Sequence, residues 1–107
     1  MESLSSRKCV PCHGGVPRLG GDEIAPLLGQ LDGWRAVDEH HLEKAYRFTN
    51  FADALAFVNR VGAIAEAEGH HPDIHFGWGY ARLEIHTHAV GGLTESDFIL
   101  AAKIDEA

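Results

Sequence analysis

Long apolar runs, cysteines and basic residues are all scarce in this chain of 107 residues. No run of 18 or more apolar residues occurs, so we expect no membrane-spanning helix. The first residues also lack the apolar stretch of a secretory signal, and we therefore expect a cytoplasmic protein. Nine basic residues against 16 acidic ones give a net charge of −7, which repels phosphate backbones and argues against nucleic acid as a partner.

The two cysteines lie close together near the N-terminus, so they cannot cross-link the rest of the chain. The same part of the sequence is rich in proline and glycine, which interrupt regular helices and strands. We therefore interpret residues 1–20 as a flexible N-terminal arm and residues 21–107 as one domain.

The spacing of Cys9, Cys12 and His13 is that of c-type haem attachment, but haem attachment requires export. The same three residues are a candidate zinc site, for which a fourth ligand would have to come from another subunit or from His40 or His41. An arm that is inert or redox-labile and binds no metal is the simpler interpretation.

Apolar periodicity and turn residues predict the order helix, strand, strand, helix, strand, strand, helix. The predicted elements are a helix over 22–31, strands over 34–37 and 42–48, a helix over 51–68, strands over 73–78 and 81–88, and a helix that follows the N-cap Thr94. The long helix has an N-cap at Asn50, a glycine at position 69 for its C-terminus, and Pro72 to prevent continuation. Its predicted buried face is Phe51, Ala54, Leu55, Val58, Val61, Gly62 and Ala65, widened by Phe57 and Ile64. Helices between antiparallel hairpins predict an α+β fold with one face of the sheet covered.

Five of the eight histidines lie between positions 70 and 88. His70 and His71 follow the long helix, and His86 and His88 share one face of the last predicted strand. Each pair alone is more often a helix cap or a solvated polar face. The hairpin, however, should bring the end of one strand back to the start of the other, and His88 then lies near His70 and His71. Without a Gly-x-Ser-x-Gly motif or a redox cofactor motif, proton transfer is the chemistry that these imidazoles predict.

A metal site is the alternative for the same histidines. His86 and His88, with His70 or His71, could hold zinc or another transition ion with an open position. Adjacent histidines rarely both reach one metal from a turn, and we find no spacing of acidic residues that completes the ligand set.

The spacing of Glu66, His70-His71-Pro72, Trp78, His88 and Asp97 resembles the signature of the pterin-4a-carbinolamine dehydratases. The resemblance covers roughly 85 residues. It includes the same order of elements and extends to residues 31–34, 46–48, 51–54 and 92–97.

The resemblance implies a four-stranded antiparallel sheet with three helices on one face, in the order α-β-β-α-β-β-α. It also implies a homodimer or homotetramer, without metal or cofactor, that removes water from 4a-hydroxytetrahydropterin. Aromatic amino acid hydroxylases release this compound, so the activity would belong to tetrahydrobiopterin recycling. A module that binds a pterin or a metal without catalysis remains the alternative function.

The resemblance further implies catalytic roles for His70, His71 and His88. It implies that Asp97 orients His88, and that Glu66 lies behind the His70-His71 turn. The implied substrate-binding residues are Gly69, His70, His71, Pro72, His86, Thr87, His88 and Ala89.

Overall fold

The computed structural model describes residues 4–7 and 17–107 and has the predicted fold class. Its helices are α1 (Gly21–Leu28), α2 (Phe51–Glu68) and α3 (Glu95–Asp105). Its strands are β1 (Arg35–Val37), β2 (His41–Arg47), β3 (Asp73–Gly77) and β4 (Tyr80–Ile85). Short 3-10 helices lie at Leu4–Ser6 and His88–Val90. No helix in the described residues is long and apolar enough to cross a membrane.

The sheet is antiparallel throughout and has the order β1-β2-β4-β3, so the two hairpins lie side by side. Its inner face carries Leu42 and, on β4, Ala81, Leu83 and Ile85, all fully buried. The three helices cover this face, and Phe98 and Leu100 of α3 lie in the same core. The outer face carries charged residues, as the alternation within strands requires.

Helix α2 has the predicted bounds because both of its ends are capped. The Asn50 side chain accepts a hydrogen bond from the Asp53 amide at 2.8 Å, and Gly69 adopts a left-handed conformation. The buried residues of α2 are Ala54, Phe57, Val61 and Ala65. Phe51 and Leu55 were expected in the core but are 44% and 39% exposed. This expectation is wrong because the buried face of α2, which packs against the sheet and α3, is narrower than predicted.

Lys44 interrupts the apolar alternation of β2, and the structure explains how it is accommodated. Its ammonium group contacts the Asp105 carboxylate at 3.0 Å and the Asp32 carbonyl at 2.5 Å. The Trp34 indole donates to the same carboxylate at 2.9 Å. The inward-facing charge is therefore paired with a residue of α3, as a largely buried ammonium group requires.

Three predicted boundaries are wrong. Helix α1 ends at Leu28 rather than at position 31, because the amides of Gln30 and Leu31 bond three residues back and form tight turns. The β3–β4 hairpin turns at Trp78 and Gly79, and Tyr80 already pairs with Gly77. The predicted strand over 81–88 ends at Ile85, since the pairing of β4 with β2 stops at Leu42 and Ile85 and its pairing with β3 stops at Asp73 and Glu84.

Part of the predicted arm packs on the domain. Leu4 is 2% exposed and belongs to the core, and Arg7 forms an ion pair with Glu95 of α3 at 2.8 Å. The Leu19 amide donates to the Leu93 carbonyl at 2.8 Å. Residues 1–3 and 8–16 of the arm, which include Cys9, Cys12 and His13, lie outside the described residues.

Candidate active site

A cavity of about 440 Å³ lies between the segment after α2 and the segment after β4. Its lining residues are Gly69, His70, His71, Pro72, Asp73, His86, Thr87, His88 and Ala89. All eight residues expected to bind substrate are among them. The predicted meeting of the two histidine segments is therefore confirmed.

The first segment leaves α2 through Gly69, whose φ of 65° lies in the left-handed region. The amides of Gly69 and His70 both bond to the Ala65 carbonyl, which closes the last turn. Pro72 cannot continue a helix, so His70 and His71 lie in a short connection before β3.

The second segment forms a tight loop after β4. The Thr87 amide donates to the Gly92 carbonyl at 2.8 Å, and Gly91 is left-handed with a φ of 63°. Between these residues the chain makes the 3-10 helix that begins at His88. Thr87 therefore points inward and is buried, whereas His88 is exposed at the cavity.

Asp97 is fully buried and holds His70 rather than His88. One carboxylate oxygen, Oδ1, lies 2.5 Å from His70 Nε2. The other, Oδ2, accepts hydrogen bonds at 2.8 Å from the Thr87 hydroxyl and from the Thr94 amide. The expected pairing of Asp97 with His88 is wrong, because the loop after β4 carries His88 to the exposed side of Thr87 while α3 starts beneath the end of α2.

Glu66 lies next to the His70-His71 turn, as expected, one turn before it on α2. Its Oε2 atom is 2.5 Å from His71 Nε2. The side chains of His71 and Glu66 are 59% and 79% exposed, so solvent screens this pair. The two carboxylates thus contact the two adjacent histidines in very different environments.

His86 and His88 lie against one another across a ring centroid distance of 4.0 Å. His40, at the turn before β2, lies on the other side of His86 at 4.7 Å. Burial lowers the pKa of His86, and the neighbouring His88 and His40 lower it further. His86 and His88 therefore share one side, as predicted, although they lie beyond the end of the strand.

Asp73 was missed as a site residue. Asp73 is the first residue of β3 and follows Pro72, which was expected to bind substrate. This adjacency is the one signal in the sequence that could have indicated that Asp73 faces the cavity. One ligand atom each from Asp73, His86 and His88 lies within 4.8 Å of the others, so the three residues are a candidate set of metal ligands. The expectation that no acidic residue completes a ligand set with these histidines is therefore wrong.

The cavity is suited to acid–base chemistry. Four imidazoles from two segments line it, and a buried carboxylate fixes the orientation of one of them. The Thr87 hydroxyl is bound to Asp97 and Thr94, so it is a structural link beneath the histidines.

The family model described as "Pterin 4 alpha carbinolamine dehydratase" matches residues 17–107. The chain belongs to this family. A Rubrobacter xylanophilus protein with a provisional name as a pterin-4-alpha-carbinolamine dehydratase is 58% identical over 105 residues, which cover 98% of each chain. A Methylococcus capsulatus protein with the same provisional name is 50% identical and covers 97% of this chain and 92% of its own.

Two solved structures of this family's fold are similar. A "transcriptional coactivator/pterin dehydratase" from Brucella melitensis superimposes with a TM-score of 0.78 at 30% identity, over 83% of this chain and 96% of its own. A pterin dehydratase-like protein, described as a RuBisCO assembly factor in the alpha-carboxysome, has a TM-score of 0.60 at 28% identity. It covers 70% of this chain and 88% of its own.

Proposed function

We propose that this chain catalyses the dehydration of a 4a-hydroxytetrahydropterin to the quinonoid dihydropterin and water. The observation that carries the proposal is that histidines from two segments face one cavity, with His70 held by the buried carboxylate of Asp97. The volume of the cavity is within the range of small-molecule sites. Membership of the dehydratase family supports the substrate class.

The reaction breaks the bond between C4a and its hydroxyl oxygen and removes the proton from N5. An acid has to protonate the departing oxygen, and a base has to accept the N5 proton. The enzyme gives one proton and takes one proton, so its protonation state is restored when water leaves. Histidine is the side chain that most often acts as a general acid or a general base, so imidazoles can perform both steps.

His70 and His88 exchange these two protons, from the two sides of the cavity, and His71 binds and polarises the pterin. Asp97 is a positioning residue for His70. When His70 Nε2 donates to Asp97, the Nδ1 atom of a neutral ring is left to accept a proton. Glu66 contacts His71 from the solvent side.

The pterin is held by the two cavity segments, with main-chain groups and side chains of residues 69–72 and 86–89. An aromatic amino acid hydroxylase releases the substrate, and the product can be reduced to the tetrahydropterin again. The proposed role is therefore tetrahydrobiopterin recycling, without a metal or cofactor in the dehydration. The proposed assembly is a homodimer or homotetramer.

The test generates 4a-hydroxytetrahydropterin in place with a pterin-dependent hydroxylase and follows quinonoid dihydropterin by its absorbance. We expect the protein to accelerate the dehydration, and we expect EDTA to leave the acceleration unchanged because proton transfer between histidines and substrate suffices.

Folded protein that gives no acceleration over the spontaneous reaction would contradict the proposal. A non-catalytic binding module would then be the better account, and the assembly factor with this fold gives that alternative a precedent. Equilibrium binding of a stable reduced pterin would next establish whether the cavity binds pterins at all.

A further inference from the structure

Asp73, His86 and His88 lie together at the cavity with their ligand atoms within 4.8 Å of one another. The strand register explains this proximity. Asp73 pairs with Glu84 on β4, and His86 follows Glu84 by two residues on the same side of the chain. His88 lies against His86, with ring centroids 4.0 Å apart. Two segments that are distant in sequence thus present three donors to one point.

The donor set is two imidazole nitrogens and one carboxylate oxygen. Zinc sites that keep an open coordination position use this set, as do other first-row divalent ions. Bonds of about 2.0–2.2 Å in a tetrahedral site place the ligand atoms about 3.4 Å apart. The widest pair of donor atoms therefore has to close by at most about 1.4 Å, which side-chain rotation allows because Asp73 and His88 are exposed.

The three side chains are also available to a ligand. Within the described part of the chain, none of the three side chains takes part in a side-chain hydrogen bond or an ion pair, and the contacts of His86 and His88 are with other imidazole rings. Nearby, Glu84 already contacts His41, His75 and Arg82. A cation at the site would therefore meet free donors and an adjacent carboxylate.

We infer that Asp73, His86 and His88 bind a divalent transition-metal ion of the zinc class, and that the ion and the pterin exclude one another from the cavity. The mutual exclusion of the ion and the pterin rests on the proposed function. A metal bound to His88 uses the ring lone pair that would otherwise accept a proton, and the ion also occupies space between the two segments. The ion is thus an inhibitor of the dehydration rather than its cofactor.

The first experiment measures metal binding to the full chain without substrate. Protein stripped with a chelator and then freed of it is titrated with Zn²⁺ by calorimetry and with Co²⁺ by visible absorption. Cys9 and Cys12 are a second possible zinc site, so the Cys9→Ser/Cys12→Ser double variant is titrated in parallel. We expect the double variant to retain one Co²⁺ site without thiolate-to-cobalt charge-transfer bands.

In the double-variant background, Asp73→Asn and His86→Asn should each weaken Zn²⁺ binding by about 100-fold or more, because each removes a ligand. His75→Asn is the matched control, since His75 lies two residues from Asp73 on the same face of β3 but outside the cluster. It should keep the original affinity. Circular dichroism establishes that each variant is folded. Absence of binding in the double variant, or equal affinities in all variants, would overturn the metal site.

The second experiment adds Zn²⁺ to the dehydration assay. We expect inhibition that is competitive with the pterin, is reversed by EDTA, and needs more Zn²⁺ in Asp73→Asn. Zinc that binds without slowing the dehydration would overturn the mutual exclusion. Protein that binds zinc but has no dehydratase activity would contradict the proposed function and leave the metal site supported by the titrations.

Discussion

Two carboxylates contact adjacent histidines through Nε2 at the same distance of 2.5 Å, yet they should differ in importance. Asp97 is fully buried and also holds Thr87 and the start of α3. Glu66 is mostly exposed. A buried carboxylate that loses its charge leaves several donors poorly satisfied, whereas water replaces an exposed one.

Asp97→Asn should lower the free energy of unfolding by about 1–3 kcal/mol, because charge-assisted hydrogen bonds to buried groups are weakened. Glu66→Gln should change it by less than about 0.5 kcal/mol. Urea denaturation measures both values. The dehydration rate should also fall more in Asp97→Asn than in Glu66→Gln, and the reverse order would contradict the assignment of Asp97 as the positioning residue.

His86 should make the stability of the protein depend on pH. Burial lowers its pKa in the folded protein below the ordinary value of 6.5 that it has in the unfolded chain. As the pH falls below about 6.5, the unfolded chain binds the proton first, so the free energy of unfolding decreases. Above that pH both states are neutral at this residue, and its contribution is constant.

In His86→Asn, the fall in the free energy of unfolding between about pH 7.5 and pH 5.5 should therefore be smaller than in the unsubstituted protein. Urea denaturation at a series of pH values measures both slopes, and all other titrating groups are common to the two proteins. Equal slopes would show that His86 has the same pKa in the folded and unfolded states.

At the scale of the elements, the ends of α2 could be predicted from sequence because caps are local. Asn50 and Gly69 act within one turn of the helix, so their residue types carry the signal. The end of β4 could not be predicted in this way. It depends on where β2 and β3 begin, and only the strand register supplies that information. The sequence still predicted that His86 and His88 lie on one side of the chain, although it placed the end of β4 three residues too far along.

The C-terminal glycine of α2 gives a prediction with an internal control. Gly69→Ala should lower the free energy of unfolding by about 1–2 kcal/mol, because a Cβ at a φ of 65° is strained although no neighbour lies within 4 Å of it. Gly62 also has open space around it but lies inside α2. Gly62→Ala should therefore raise the free energy of unfolding by about 0.5–1 kcal/mol.

Thermal or urea denaturation distinguishes the two glycine variants, because the free energy of unfolding should decrease in Gly69→Ala and increase in Gly62→Ala. The dehydration rate should fall in Gly69→Ala, because His70 follows the strained residue, and should stay unchanged in Gly62→Ala. A neutral or stabilising effect of Gly69→Ala would contradict the left-handed cap.

For the whole molecule, the sequence indicated which parts meet but not the contacts between them. The hairpin and the motif spacing predicted the cavity between residues 69–72 and 86–89. The partner of Asp97 was predicted wrongly, and Asp73 was missed, because both depend on how α3 and β3 are placed against the loop after β4. Such contacts between distant segments are not encoded in any local pattern.

The expected homodimer or homotetramer is a property of the whole molecule that its mass in solution tests. The sheet has two edge strands, β1 and β3, and edges of this kind are commonly paired or covered. Sedimentation equilibrium should give a mass of two or four chains. A mass of one chain at every concentration measured would contradict the expected assembly.

The proposed mechanism is proton transfer by histidines from the two sides of the cavity during the dehydration. The most direct test is the rate of quinonoid dihydropterin formation by folded His70→Ala and His88→Ala, with His75→Ala as the control outside the cavity. We expect a loss of about 100-fold or more in each of the first two variants and an unchanged rate in the control. Wild-type rates in His70→Ala and His88→Ala would contradict it.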